Sequence, residues 1–145
     1  MDGTAREALR FSTPGLAGQS ATLTLILHWD GTTWSIVPSP NVGPNSSSQS
    51  NRLLGIAANS ANDIYAFGSY FAADGSRHQM TLLLHWDGTS WSSAPSPNPT
   101  QSNFLDDLLL AGVVPSPGNV WILGNEDEGG QGGMGTLAIH AATGD

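Results

Sequence analysis

The chain has 145 residues, with 39% apolar and 11% charged side chains, 18 glycines, 9 prolines and no cysteine. Four arginines against 12 acidic residues leave a net charge of −8, which excludes the basic footprint of a nucleic-acid-binding domain. Without cysteine there are no disulfides, thiolate metal sites or cysteine nucleophiles.

Met1 to Arg10 contains Asp2, Arg6, Glu7 and Arg10, so it lacks the basic start and apolar stretch of a signal peptide. Residues 1–21 read as an irregular lead. Thr4–Arg10 is a helix candidate, too short to hold on its own. From Thr22 onward no segment shows a 3.6-residue period, and short apolar runs bounded by Gly, Pro, Asn, Asp or Ser predict strands. The first are Leu23–Trp29 and Thr33–Val37. Leu53–Ala58, Ile64–Tyr70, Met80–Trp86 and Ser90–Ala94 follow, then Leu105–Val114, Val120–Gly124 and Thr136–His140. Arg10–Thr13 adds a tenth strand if it is the remnant of one. No apolar run approaches the ~18 residues of a membrane span.

An internal repeat organises these elements. His28-Trp29-Asp30-Gly31-Thr32-Thr33-Trp34-Ser35 returns 57 residues on as His85-Trp86-Asp87-Gly88-Thr89-Ser90-Trp91-Ser92. Pro38-Ser39-Pro40-Asn41 returns as Pro95-Ser96-Pro97-Asn98 at the same offset. Leu54-Gly55-Ile56 corresponds to Ala111-Gly112-Val113, also 57 on. Asp63 to Gly68 corresponds to Asn119 to Gly124 at 56, and Thr81 to His85 to Thr136 to His140 at 55. The chain therefore divides into a lead (1–21), a partial copy with its last two strands and a connector (22–52), a complete four-stranded copy (53–102), and a partial copy with its first three strands (103–145).

Within a copy, Asp-Gly between apolar strand ends suits a tight hairpin, braced by the flanking tryptophans. Pro-Ser-Pro-Asn cannot donate a regular ladder of N–H groups and reads as the connector between copies. Leu82, Leu84 and Trp86 point one way from their strand, Leu83 and His85 the other. Apolar residues on both faces mark a sheet sandwiched between neighbours rather than one with a wet side. The expected class is all-β: four-stranded antiparallel sheets stacked as propeller blades.

At these residues the sequence resembles a bacterial, loosely kelch-like β-propeller repeat family, with repeats of the form L-x-G-V-A-A-x-S-A-N-D-V-W-A-V-G and T-L-I-x-H-W-D-G-T-S-W-S-x-V-P-S-P-N. Leu53 to Gly68 and Thr81 to Asn98 carry the likeness. It implies a blade fold, within large and often exported proteins mostly without an assigned activity. The hairpin is also similar to the sialidase Asp-box, one residue short between Asp and Gly. About two and a half blades are present, whereas a propeller typically closes with at least four. A bare blade face of ~500 Å² forgoes roughly 12 kcal/mol at ~25 cal/mol per Å². The expected partners are therefore other blades, from a longer chain or from further copies in a homo-oligomer.

The side chains that carry chemistry have structural readings beside functional ones. His28, His85 and His140 recur at one blade position, and three imidazoles can converge on a metal. Their strand is expected third from the axis of a blade, so the copies should stay far apart, each hydrogen-bonding a neighbouring blade. Asp30 and Asp87 can serve as paired acids for glycoside hydrolysis only if roughly 5–10 Å apart. As equivalent hairpin residues they are expected to shape turns instead. Tyr70 and Phe71 interrupt a polar stretch and are candidate ligand contacts. Glu126, Asp127 and Glu128, in a loop running into the glycines at 129–133, are candidate ligand or Ca²⁺ contacts, a solvated acidic loop being the plainer reading. Trp29, Trp34, Trp86, Trp91 and Trp121, with Tyr65, can stack on sugar rings, and core between blades is the plainer reading. No cofactor, resident metal or catalytic group is expected.

Taken together, the residues point to a non-catalytic repeat segment that binds a protein or a glycan, or serves as a scaffold. The alternatives are a fragment of a glycosidase- or sialidase-like propeller enzyme with its catalytic residues elsewhere, and a truncated reading frame. The scarcity of charge suits an exported surface. Secretion as part of a larger protein is the expected location, with the cytoplasm still open.

Overall fold

The computed structural model describes residues 9–11, 21–43, 49–72, 78–99, 106–127 and 133–142. Every regular element among them is a β-strand, so the chain is all-β. No helix among them is long and apolar enough to cross a membrane. The first copy contains β1 (Leu9–Phe11), β2 (Ala21–Leu23), β3 (Ile26–Trp29) and β4 (Trp34–Val37). The middle copy contains β5 (Asn51–Ser60), β6 (Asp63–Phe71), β7 (Gln79–Trp86) and β8 (Trp91–Ser93). The third contains β9 (Asp107–Ser116), β10 (Asn119–Asp127) and β11 (Met134–Ala142). Four antiparallel sheets result, in the orders β1-β2, β3-β4, β5-β6-β7-β8 and β11-β10-β9.

Two expectations at the start of the chain need correction. Leu9–Phe11 is not the end of a helix but a strand paired with β2, Leu9 opposite Leu23. The predicted strand Leu23–Trp29 is broken at Thr24 and Leu25. Its counterpart β7 is held along its whole inner edge by β6, from Ile64–Trp86 to Phe71–Gln79. The described partner β1 reaches only residues 21–23.

Strand pairing also corrects the alignment of the copies. Leu53 lies opposite Gly68, Gly55 opposite Phe67, and Ala57 opposite Tyr65. In the third sheet Leu109 lies opposite Gly124, Ala111 opposite Leu123, and Val113 opposite Trp121. The offset is 56 throughout, so Ala111, not Gly112, stands where Gly55 does. A slip of one residue would have exchanged the two faces of the strand.

The middle sheet is covered on both sides. Tyr65 to Ser69 and Thr81 to Leu84 are buried without interruption. Ala66, Leu82 and Leu84 pack with Ile26 of the first copy, supported by Val37, Leu53 and Trp91. From the other face, Tyr65, Phe67 and Leu83 pack with Leu109, Val120, Ile122 and Leu137 of the third sheet. We call the side of a sheet that turns toward the next copy its forward face and the other its rear face. The expected opposition of Leu82 and Leu84 to Leu83 is what this packing shows.

The Phe67 ring, 1% exposed, lies against Gly55 of its own sheet and Gly112 of the third. A Cβ on Gly112 would stand 2.7 Å from Phe67 Cε1 and 3.0 Å from the Ala57 Cβ. Gly112 therefore sets how closely the two sheets approach. Polar groups close the connections between copies. Asn51 is fully buried, and its amide both accepts from Val42 N–H (2.9 Å) and donates to Val42 C=O (3.0 Å). No buried side-chain polar atom among the described residues lacks a hydrogen-bond partner, as buried amides require.

Gly112→Ala is expected to lower the unfolding free energy by roughly 1–3 kcal/mol, the cost of overpacking a filled core. Urea denaturation checks it; an unchanged midpoint would mean that the sheets do not meet at this ring.

Candidate functional site

The hairpins form one rim of the sheets. Asp30 Oδ1 accepts from the Thr32 N–H (2.7 Å) and hydroxyl (2.7 Å) and the Thr33 N–H (2.8 Å), and Oδ2 from the Thr33 hydroxyl (2.9 Å). Asp87 Oδ1 accepts from the Thr89 N–H (2.8 Å) and hydroxyl (2.7 Å) and the Ser90 N–H (2.8 Å). Gly31 and Gly88 follow each aspartate at φ 103° and 95°, values that glycine adopts without strain. Trp29 faces Trp34 at 5.4 Å and Trp86 faces Trp91 at 5.8 Å across the two hairpins. Both aspartates are turn formers, each fully engaged in its own loop.

These donors set the carboxylates' acidity. The Thr33 N–H first, then the Thr32 and Thr33 hydroxyls and the Thr32 N–H, hold Asp30 well below its usual range. The Thr89 hydroxyl, with the Ser90 and Thr89 N–H groups, lowers Asp87 from 3.8 to about 2.

The histidines occupy three different sheets, on β3, β7 and β11. The expected bond to a neighbouring sheet is not made: His85 Nε2 donates to Asp63 Oδ1 of its own sheet at 2.7 Å, since a carboxylate only accepts and β6 lies directly beside β7. The His85 ring stacks on Tyr65 with centroids 4.6 Å apart. In the third sheet His140 Nε2 donates to Asn119 Oδ1 at 2.5 Å and stacks on Trp121 at 4.5 Å. Asp63 is thus replaced by Asn119, and Tyr65 by Trp121, in an otherwise repeated arrangement. Asp63 also accepts from Asn59 Nδ2 (2.8 Å), and Asn59 Oδ1 accepts from the Gly118 N–H (2.8 Å) of the third sheet. Burial, then the Asp63 charge, raises the Tyr65 pKa. Among the described residues no three His, Asp or Glu side chains come together as a metal site.

The opposite rim gathers the ligand candidates. Tyr70, the last residue of the predicted strand, and Phe71, one residue beyond it, both belong to β6, opposite Met80 and Gln79. Glu126 and Asp127 are likewise strand residues, extending β10 opposite Gly135 and Met134. Continued pairing with β11 draws them out of the expected loop; Glu128 lies outside the described residues. As neighbours on a strand, Glu126 and Asp127 project to opposite faces. Tyr70 and Glu126 share one position in their sheets, and Phe71 and Asp127 the next, 56 residues apart. The Phe71 N–H donates to Ser50 C=O (3.0 Å) and the Asp127 N–H to Asp106 C=O (3.1 Å). Tyr70 also packs against the core between the first and middle copies, and burial raises its phenol pKa.

A polar clamp that sequence reasoning missed joins two sheets at this rim. Asp106 accepts from the Gln79 N–H (2.6 Å) and Nε2 (3.1 Å), while Gln79 Oε1 accepts from the Ser69 hydroxyl (2.8 Å). No spacing signals it, because one half comes from each copy. The connector motif, in contrast, was visible as a repeat. The outer strand stops at Pro38 and Pro95, and the Asn41 and Asn98 side chains accept the Thr24 (2.8 Å) and Thr81 (2.7 Å) N–H groups. The two threonine hydroxyls lie 2.9 and 2.6 Å from Ser39 and Ser96 Oγ. A cavity of about 230 Å³ lies between the first and middle sheets, with Ile26, His28, Ile64, Trp86 and Trp91 in its wall.

No protein-family model, curated protein or solved structure matches this chain. Its class rests on its own geometry: an all-β repeat protein whose copies form separate antiparallel sheets packed face to face.

Asp87 has a folded-state pKa below its unfolded value. Its contribution to stability is present above about pH 4 and fades as pH falls through about 2. The Thr89 and Ser90 amide resonances should therefore hold steady from neutral pH to about 4 and move only near 2. Titration of both amides near pH 4 would contradict the turn geometry. Asp63→Asn copies the third sheet's natural arrangement and should keep the His85 bond. Asp63→Ala should cost about 0.5–1.5 kcal/mol more, measured by urea denaturation; equal losses would discount the bond.

Proposed function

We propose that the chain is a segment of a kelch-like β-propeller repeat protein and acts as a non-catalytic binding or scaffold module. Its sheets are blades in this reading, and further blades, from a longer chain or another copy, complete the stack. The ligand is a protein or a glycan, met at the rim that carries Tyr70, Phe71, Glu126 and Asp127. Secretion as part of a larger protein accords with the low charge.

One observation carries the reading. At the hairpin rim the first and middle copies make the same Asp-Gly turn, and the middle and third keep the same histidine bond and ring stack while Asn119 and Trp121 replace Asp63 and Tyr65. The middle and third differ at the opposite rim, where Tyr70 and Phe71 give way to Glu126 and Asp127 at equivalent positions. A framework kept constant on one side, with changing chemistry on the other, is how a rigid scaffold presents a binding surface. His85, His140 and the hairpin aspartates support the same view, since each of these makes a local structural bond.

A glycan array, with turnover followed on every hit, tests this. Binding without hydrolysis is expected, weakened about tenfold by Phe71→Ala or Glu126→Ala. Hydrolysis of a bound glycan would assign the chain to an enzyme instead.

A further inference from the structure

We infer that the forward face of the third sheet, uncovered among the described residues, docks head to tail on the likewise uncovered rear face of the first copy in a second molecule. The inference rests on the stacked-sheet reading and names the partner of its open ends.

The forward face of the third sheet carries Val113, Trp121 and Leu123, which are 54%, 39% and 42% exposed. Their cross-strand partners include Ala138 and His140. By register these stand where the middle sheet has Ala57, Tyr65, Phe67, Leu83 and His85. In the middle sheet that face is covered by the third sheet. The uncovered version already has the covered form. Trp121 stacks on His140 at 4.5 Å and 24°, as Tyr65 stacks on His85 at 4.6 Å and 29°. Little reorganisation is needed before such a face is covered.

The complementary surface is at the other end of the chain. On β3 and β4, Leu27 pairs with Ile36 and Trp29 with Trp34, placing all four on the rear face. Ile36 is 67% and Trp34 53% exposed. Leu27 and Trp29 hold the positions that Ile139 and Ala141 hold in the third sheet. Ile139 and Ala141 pack against the cluster that contains Tyr65, Phe67 and Leu83. Trp34 holds the position of Trp91, which packs on the Ile26 side of the middle sheet.

Forward and rear faces thus meet twice inside the chain, and one of each kind is left over. A forward face fits a rear face, so the contact joins two different surfaces and is heterologous. The residues named on the two leftover faces include no carboxylate, Lys or Arg; the carboxylate of Asp127, on the forward side of β10 by alternation, lies at the rim end of that strand.

Trp34→Glu blocks the rear face and Leu123→Glu the forward face, both at exposed positions whose counterparts in the middle sheet are packed against a neighbour. Sedimentation velocity at high micromolar concentration reads the outcome. The native chain should self-associate, and each variant alone should be monomeric. An equimolar mixture should form a species of about twice the monomer mass, because each variant keeps the face the other lacks. Three results overturn the docking while the stacked sheets stand: a monomeric mixture, a variant that still self-associates, or a monomeric native chain with cooperative β-sheet unfolding. A native chain without a cooperative β-sheet signal by circular dichroism overturns the stacked sheets, and the docking with them.

Discussion

The approach of one sheet to the next at Phe67 is the contact on which the rest of the structure depends. The ring is 1% exposed and flanked by two positions without side chains, Gly55 in its own sheet and Gly112 in the neighbour. A large side chain against two glycines lets the sheets close onto each other. It also makes the middle sheet an interior layer, with apolar clusters on both faces. A four-stranded sheet this size has no other way to bury two apolar faces, since an antiparallel sheet standing alone needs one polar side.

Close stacking creates a backbone problem, and the repeated polar residues solve it. The outer strand cannot extend past Pro38 or Pro95, yet Thr24 and Thr81 still present N–H groups there. Asn41 and Asn98 supply the missing acceptors. The Asp-Gly turns reverse the chain within a few residues by satisfying the loop amides from one carboxylate. His85 and His140 tie the third strand of a sheet to the start of the second. Side chains that look reactive in the sequence are thereby fixed at one rim and along the outer strands. The other rim is where successive copies diverge in chemistry, and where the Gln79–Asp106 clamp holds two sheets together.

The same logic gives the two ends of the stack their character. A face built to be covered stays apolar whether or not its cover is in the same chain. Trp34 at one end, and Val113 and Leu123 at the other, are exposed where the middle sheet has Trp91, Ala57 and Phe67 packed against a neighbour. Ile36 stands where the middle sheet has the exposed Ser93.

Much of this was legible in the linear order of residues. The recurrence of His-Trp-Asp-Gly-Thr and Pro-Ser-Pro-Asn determines an all-β chain of repeated strands, and the opposition of Leu83 to Leu82 and Leu84 a middle sheet covered on both faces. These are local signals, set by strand alternation and turn chemistry over a few residues. Other features depend on partners far apart in the chain. The pairing of β9 with β10 moved the third copy's alignment by one residue and put Ala111, not Gly112, in the place of Gly55. Pairing with β11 drew Glu126 and Asp127 out of their loop, and pairing with β7 extended β6 by one residue to Phe71. The break between β2 and β3 and the clamp from Gln79 to Asp106 also required neighbours in space. A strand's register and ends are chosen by the edge it pairs with, and only the folded chain brings that edge alongside.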